Sequence, residues 1–383
     1  MAEVYGTNDP AFDSVRELLK QRISSGDELG ASLCVNIDGK DVLDLWGGYT
    51  DVARTKSWDK DTVAPVWSCS KVVTNLAALI LIDRGLLDVN ENVATYWPEF
   101  AANGKENVKV SQILSHTAGL PAWEPPVTIE DTLNWKESTK RLAGQATWWT
   151  PGDGSGYHLS SQGYLVGEVV QRVSGKPFKQ FVADEITGPL GADFQYGLPE
   201  DQKARTVEII PPGRFSFKDL DPDSIPVKAV IGTPMTAETS MGPVFRKAVS
   251  PATNGFSNAR ALARICSTVS LGGTVDGNKR ILKPGSIDEL LRQRTDGVDR
   301  ITFDYVRFGL GVGLGDKRTR PWIPEGDICF WGGWGGSLVL MDRNRRVTIG
   351  YVMNNMATTG TLGNPNTEAY VREIYELVNQ SLS

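Results

Sequence analysis

The sequence is poor in the residues that many metal and nucleophilic sites require. It has two histidines, His116 and His158, and four cysteines, Cys34, Cys69, Cys266 and Cys329, in 383 residues. Two histidines without an HExxH run cannot supply a zinc site by themselves. Four scattered cysteines without a CxxC pair exclude a disulfide scaffold and read as reduced thiols in a cytoplasmic protein. The longest apolar run, Leu76 to Ile82, is far short of the roughly 20 residues that cross a bilayer. The opening MAEVYGTNDP has no apolar signal core. Basic charge is not in excess: 40 Lys+Arg stand against 46 Asp+Glu, a net −6. Neither nucleic acid nor a membrane surface is therefore an expected partner. GxGxxG and GxxxxGK[ST] phosphate loops are missing, and no cofactor is expected.

What is present is a change of periodicity along the chain. Residues 13–23 place Phe12, Val15, Leu18, Leu19 and Ile23 at helical spacing. Residues 31–37 and 41–46 read as strands joined by Asp38-Gly39. From Ser68 a strongly apolar helix is expected, ending near Gly85. Residues 86–240 carry helix signals, proline and tryptophan, but no clear series of strands; 161–174 is an amphipathic helix stopped by Gly175-Lys176-Pro177. A further helix is expected over 258–271, strands over 308–314, 337–341 and 346–353, and a closing helix over 367–378. Strands at both ends with helices between predict an α+β fold, an antiparallel sheet flanked by helices, interrupted by a mainly helical insertion. The expected division is 1–85 with 240–383 as the sheet domain and 86–239 as the helical domain, with the site in the cleft between them.

Ser68-Cys69-Ser70-Lys71 opens the apolar helix. Spacing i, i+3 puts Ser68 and Lys71 on one face, a turn apart. A serine hydroxyl needs a neighbouring base to become a nucleophile, and a lysine can serve if burial destabilises its ammonium. The helix N-terminus adds free N–H groups and a field that suits an oxyanion. The bland reading makes Ser68 an N-cap and Lys71 a solvated side chain. The apolar Val66-Trp67 before it and the buried character of the helix behind it weigh against that.

These residues, with Leu114 to Leu120, Pro151-Gly152, Tyr157-His158-Leu159, Gly163 to Gly175 and Trp331-Gly332-Gly333, stand in an order and spacing that resembles the serine β-lactamase and penicillin-binding-protein superfamily. The resemblance is to its class C side, with D-amino-acid peptidases and family VIII carboxylesterases, and runs from about residue 10 to 380. It implies Ser68 as the acylated nucleophile, Lys71 as its base and Tyr157 as a general acid/base. It implies an oxyanion hole from the backbone N–H groups of Ser68 and Trp334. A phenol of ordinary pKa ~10 would need nearby positive charge to act as a base, and Lys71 is the candidate. Trp67, His158, Leu159, Trp331, Gly332 and Gly333 are the expected substrate-binding positions, the glycine pair letting the strand backbone approach the substrate. His116 is expected to pack or hydrogen-bond, and Tyr164 to lie in the core.

Two positions depart from the antibiotic-hydrolysing pattern. Trp331 stands where those enzymes begin the third motif with a cation that pairs with a substrate carboxylate. Leu159 stands where the second motif ends in asparagine. Both changes favour a neutral, apolar acyl group, and family VIII carboxylesterases carry the same tryptophan-glycine-glycine motif. Gly255-Phe256-Ser257-Asn258-Ala259 approximates a lipase nucleophile elbow. That elbow needs a histidine later in the chain, and none follows His158; Ser257 is read as a helix N-cap. The expected activity is a serine carboxylesterase acting through an acyl-enzyme on a small-molecule ester or thioester. Acyl transfer to an alcohol is the alternative, with β-lactam hydrolysis, D-amino-acid peptidase action and non-catalytic ligand binding behind it. A homo-oligomer is left open.

Overall fold

A computed structural model describes residues 3–213, 220–276, 279–358 and 362–381. Its centre is a nine-stranded sheet of β1 (Val4–Asn8), β2 (Gly30–Ile37), β3 (Lys40–Gly48), β4 (Thr295–Val298), β5 (Tyr305–Phe308), β6 (Gly313–Leu314), β7 (Ile328–Gly332), β8 (Leu338–Asp342) and β9 (Val347–Met353). The spatial order is β1-β3-β2-β9-β8-β7-β6-β5-β4, and all neighbours are antiparallel. Both ends of the chain meet in the middle, where β9 pairs with β2 from Val347↔Ile37 to Met353↔Ala31. The central strands β7, β8 and β9 are buried along their whole length, which explains their continuous apolar character: both faces are covered.

Five longer helices dress this sheet and the segment inserted into it: α1 (Asp13–Ser25), α2 (Cys69–Asp83), α3 (Ser161–Ser174), α4 (Ala259–Ser270) and α5 (Pro365–Ser381). Helix α1 packs on β1 and β3 and against α5, while α4 lies across β9, β2 and β8. Helix α2 is buried on every side, from Cys69 to Leu81. Such a helix is apolar all round because no face meets water. It packs on α3, which ends at Gly175 in the left-handed conformation that glycine supplies at helix C-termini.

Two expectations are corrected, on the run 308–314 and on the cap of α4. The run 308–314 is two strands, β5 and β6, paired at Phe308↔Gly313. Gly311 turns the chain at φ +73° with its backbone pressed on the Asn75 side chain, which leaves no room for a Cβ. Residues 86–240 hold no series of strands among the described residues; their one strand, Phe194–Tyr196, joins a small sheet with Ala64–Pro65 and Gly255–Ser257. The cap of α4 is Asn258, whose side chain accepts from the Ala261 N–H at 2.9 Å; the Ser257 hydroxyl donates instead to the Asp193 carbonyl. Among the described residues no helix is long and apolar enough to cross a membrane.

Candidate active site

The chain leaves the short strand Ala64–Pro65 and enters α2 through one turn. Trp67 makes that turn with φ +49°, a conformation bulky residues rarely hold and which concentrates at functional sites. Ser68 follows as the residue before the helix. The end of β7 presses on the same turn. A Cβ on Gly333 would lie 2.4 Å from the Val66 carbonyl oxygen, and the Ser337 hydroxyl donates to that carbonyl at 3.0 Å. Close approach to the Ser68 turn therefore already requires glycine at 333. Trp67 and Trp334 meet edge to face at 5.2 Å between centroids. The main-chain N–H groups of Ser68 and Trp334 have no acceptor among the described residues, as an oxyanion hole requires.

Lys71 is completely buried. Its Nζ lies 3.1 Å from Ser68 Oγ, 2.6 Å from the Leu159 carbonyl oxygen and 3.1 Å from that of Ala252. Burial without a carboxylate partner pushes its pKa well below that of an ordinary lysine, against a smaller opposing effect of Cys69. A neutral amine has two hydrogens and one lone pair. The two carbonyls can take the hydrogens, which leaves the lone pair for the Ser68 hydroxyl proton. Leu159 thus reaches the site with its main-chain oxygen. The Ala252 carbonyl is within reach because α3 carries a glycine beside it: a Cβ at Gly163 would sit 2.2 Å from the Ala252 nitrogen.

Tyr157 is buried, and Lys71 Nζ lies 4.9 Å from its ring centroid. Its phenol oxygen accepts a hydrogen bond from Trp331 Nε1 at 3.0 Å. Burial raises the phenol pKa, and hydrogen bonding with Ser68 and Trp331 offsets this only in part. The expectation that a lysine charge lowers it is not met: burial opposes charge on the phenol and on the amine alike. Tyr157 is held as a neutral phenol, a proton donor at neutral pH.

Trp331 is buried between Tyr157, with ring centroids 5.0 Å apart, and Phe308, at 5.2 Å. In place of the third-motif cation it presents an uncharged N–H to the tyrosine. His158 is also corrected. Its Nδ1 donates to the Gly156 carbonyl at 2.7 Å, and its Nε2 accepts from the Leu120 N–H at 3.1 Å. With both nitrogens engaged and the ring fully buried, it offers a substrate no polar atom, and burial lowers its pKa to about 3. His116 accepts from the His158 N–H through Nδ1 at 3.1 Å and packs on Tyr157 at 4.8 Å, so it too braces the tyrosine segment. Tyr164 lies in the core between Trp123 and Trp135. The described residues bring together no metal-binding cluster of His, Cys, Asp and Glu. Sequence reasoning did not reach the two carbonyls that receive Lys71, because main-chain acceptors have no residue signature.

A serine, a desolvated amine and a neutral phenol come together on this fold, and the class they define is a serine hydrolase. The chain belongs to the Beta-lactamase family, whose model matches residues 15–370. It is similar to the esterase/beta-lactamase LipL of Mycobacterium tuberculosis (strain ATCC 25618 / H37Rv), with 29% identity over 397 aligned residues, 99% of this chain and 88% of LipL. A crystal structure of a family VIII carboxylesterase matches with a TM-score of 0.90 and 33% identity, covering 98% of this chain and all 100% of that one. A penicillin-binding protein homologue from Caulobacter crescentus matches with a TM-score of 0.87 and 30% identity, over 98% of this chain and 100% of that chain.

Proposed function

We propose that this protein is a carboxylesterase for small or medium apolar acyl esters, working through an acyl-enzyme at Ser68. The observation that carries this reading is the Trp331 N–H on the Tyr157 oxygen at 3.0 Å: a neutral donor stands where a carboxylate-binding cation would be. The similarity to a family VIII carboxylesterase supports the same class. The site would lie in a cleft between a sheet part, 1–85 and 240–383, and a helical part, 86–239. Lys71 bridges to Leu159 in one and Ala252 in the other.

In the proposed cycle Lys71 takes the Ser68 proton as Oγ attacks the ester carbonyl. The developing oxyanion lies between the N–H groups of Ser68 and Trp334. Tyr157 gives its proton to the departing alkoxide and recovers one from Lys71. Water then attacks the acyl-serine, passing its proton back along the same route. An alcohol in place of water would make the reaction an acyl transfer.

The test is hydrolysis of nitrophenyl esters and labelling by a fluorophosphonate. S68A should lose both, while S257A keeps turnover near the wild type, and nitrocefin should be a poor substrate. Labelling of a different serine, or an active S68A enzyme, would overturn the reading.

A further inference from the structure

Tyr157 lies in the stretch 153–158, which has no helix or strand to hold it. Its position is fixed by neighbours, and one of them has a form that the nucleophile, amine and oxyanion parts do not explain. Asp299 is fully buried. Its Oδ1 accepts three main-chain N–H groups, from Tyr157 at 3.0 Å, Ile301 at 2.9 Å and Thr302 at 3.0 Å. Its Oδ2 is buried with no partner. Leaving a buried carboxylate oxygen unpaired is costly, so the group is retained for what Oδ1 holds.

We infer that Asp299 is a positioning residue for Tyr157, clamping the Tyr157 main chain to the 299–304 turn so that the phenol oxygen stays on the Trp331 indole and beside Ser68. The inference rests on the proposed role of Tyr157. The clamp is one of two arms. On the other side His116 accepts from the His158 N–H with Nδ1 and from the Gly156 N–H with its carbonyl, at 3.1 and 3.0 Å. Tyr157 is thus gripped through the amide before it and the amide after it, as well as through its own. The 299–304 turn is itself anchored: the Arg300 N–H donates to the Ser155 carbonyl at 3.0 Å, and the Asp299 N–H to that of Asp304 at 2.9 Å. A carboxylate that draws in three N–H groups at once defines the turn and the tyrosine loop as one rigid piece. Displacing a proton donor by even an ångström costs rate rather than affinity.

The test is a kinetic cycle on the full-length enzyme with a nitrophenyl ester, using D299A, D299N, Y157F and D299A/Y157F, each checked for a folded melt at the assay temperature. D299A is expected to lower kcat at least about tenfold with KM within about threefold. D299N, whose amide oxygen can still accept, should recover most of that loss. In the Y157F background D299A should cost nothing further. An equal loss with and without the Tyr157 hydroxyl, or a D299N enzyme as impaired as D299A, would overturn the inference. Should D299A not fold, D299E keeps the charge but displaces the acceptor, and the same drop in kcat is expected. If Y157F itself turns over like the wild type, it is the role of Tyr157 that fails; an inactive Y157F beside an unimpaired D299A sinks the clamp alone.

Discussion

The Trp331 indole nitrogen and the Tyr157 phenol oxygen are 3.0 Å apart, and the indole is the donor. An indole N–H has no acceptor capacity, so the phenol proton is not given to Trp331 and stays free for another acceptor. In the proposed mechanism the residue that removes a substrate-binding cation from the motif thereby holds the oxygen of the acid. W331F keeps the aromatic packing and deletes the donor. Its kcat is expected to fall about tenfold, the worth of one buried hydrogen bond near the reacting atoms, with the melt close to that of the wild type. Steady-state kinetics on a nitrophenyl ester check this.

In the proposed mechanism Lys71 sets the acid limb of activity. Only the neutral amine can accept the serine proton, so rate falls as pH drops through the folded-state pKa. Burial holds that pKa well below the ordinary lysine value, so the limb should lie far below pH ~10. The phosphonate-labelling rate against pH reads it directly. K71R replaces the amine with a guanidinium that stays protonated, and labelling should fall by at least about a thousandfold at every accessible pH.

Glu28 makes stability depend on pH in the opposite sense to most carboxylates. It is buried, with its Oε1 accepting from Tyr351, from Asn366 at 3.0 Å and from Tyr370 at 3.4 Å. Burial, the dominant cause, raises its pKa from 4.5 to about 8, though these hydrogen bonds and Arg22 pull the other way. The folded protein keeps a proton that the unfolded chain has lost above about pH 4.5. Stability from this group is complete below that value and is lost as pH rises through about 8. Thermal melts of the wild type should fall between about pH 5 and 8.5, by an amount on the order of 2–4 kcal/mol. E28Q, which cannot ionise, should be flatter across the same window.

Gly163 gives the fourth prediction. Alanine there would set its methyl 2.2 Å from the Ala252 nitrogen, and backbone must move to accept it. Overpacking of this kind costs roughly 1–3 kcal/mol. The displaced segment carries the Ala252 carbonyl that receives Lys71, so G163A should lose both melting temperature and kcat. Equal activity per folded molecule would contradict the link between α3 and the amine.

The sequence made the chemistry legible where side chains carry it. Ser68 and Lys71 at i, i+3 on a buried helix announced themselves through an apolar stretch that has no other use for a lysine. The sheet was readable from β2, β3, β8 and β9, whose apolar runs are long. It was less readable at β5 and β6, where Gly309 and Gly311 hide a turn inside what looks like one strand. His158 misleads in the sequence because a histidine beside Tyr157 suggests the cleft, and only the Gly156 and Leu120 main-chain partners reveal it as a brace. The Trp331 donor and the Asp299 clamp join residues far apart in the chain, and nothing in local spacing encodes them.

The pairing of β9 with β2 bears on when the enzyme becomes competent. Cys69 and Ser337, in contact across the nucleophile turn, are 268 residues apart, and the sheet that aligns them closes only when its last strand finds one near the start. Such non-local pairing is the slow kind of folding event. A nascent chain emerging from the ribosome would already carry the serine and the amine yet lack the donor at Trp334, so reactivity toward esters should arrive late and abruptly, with completion of the whole sheet.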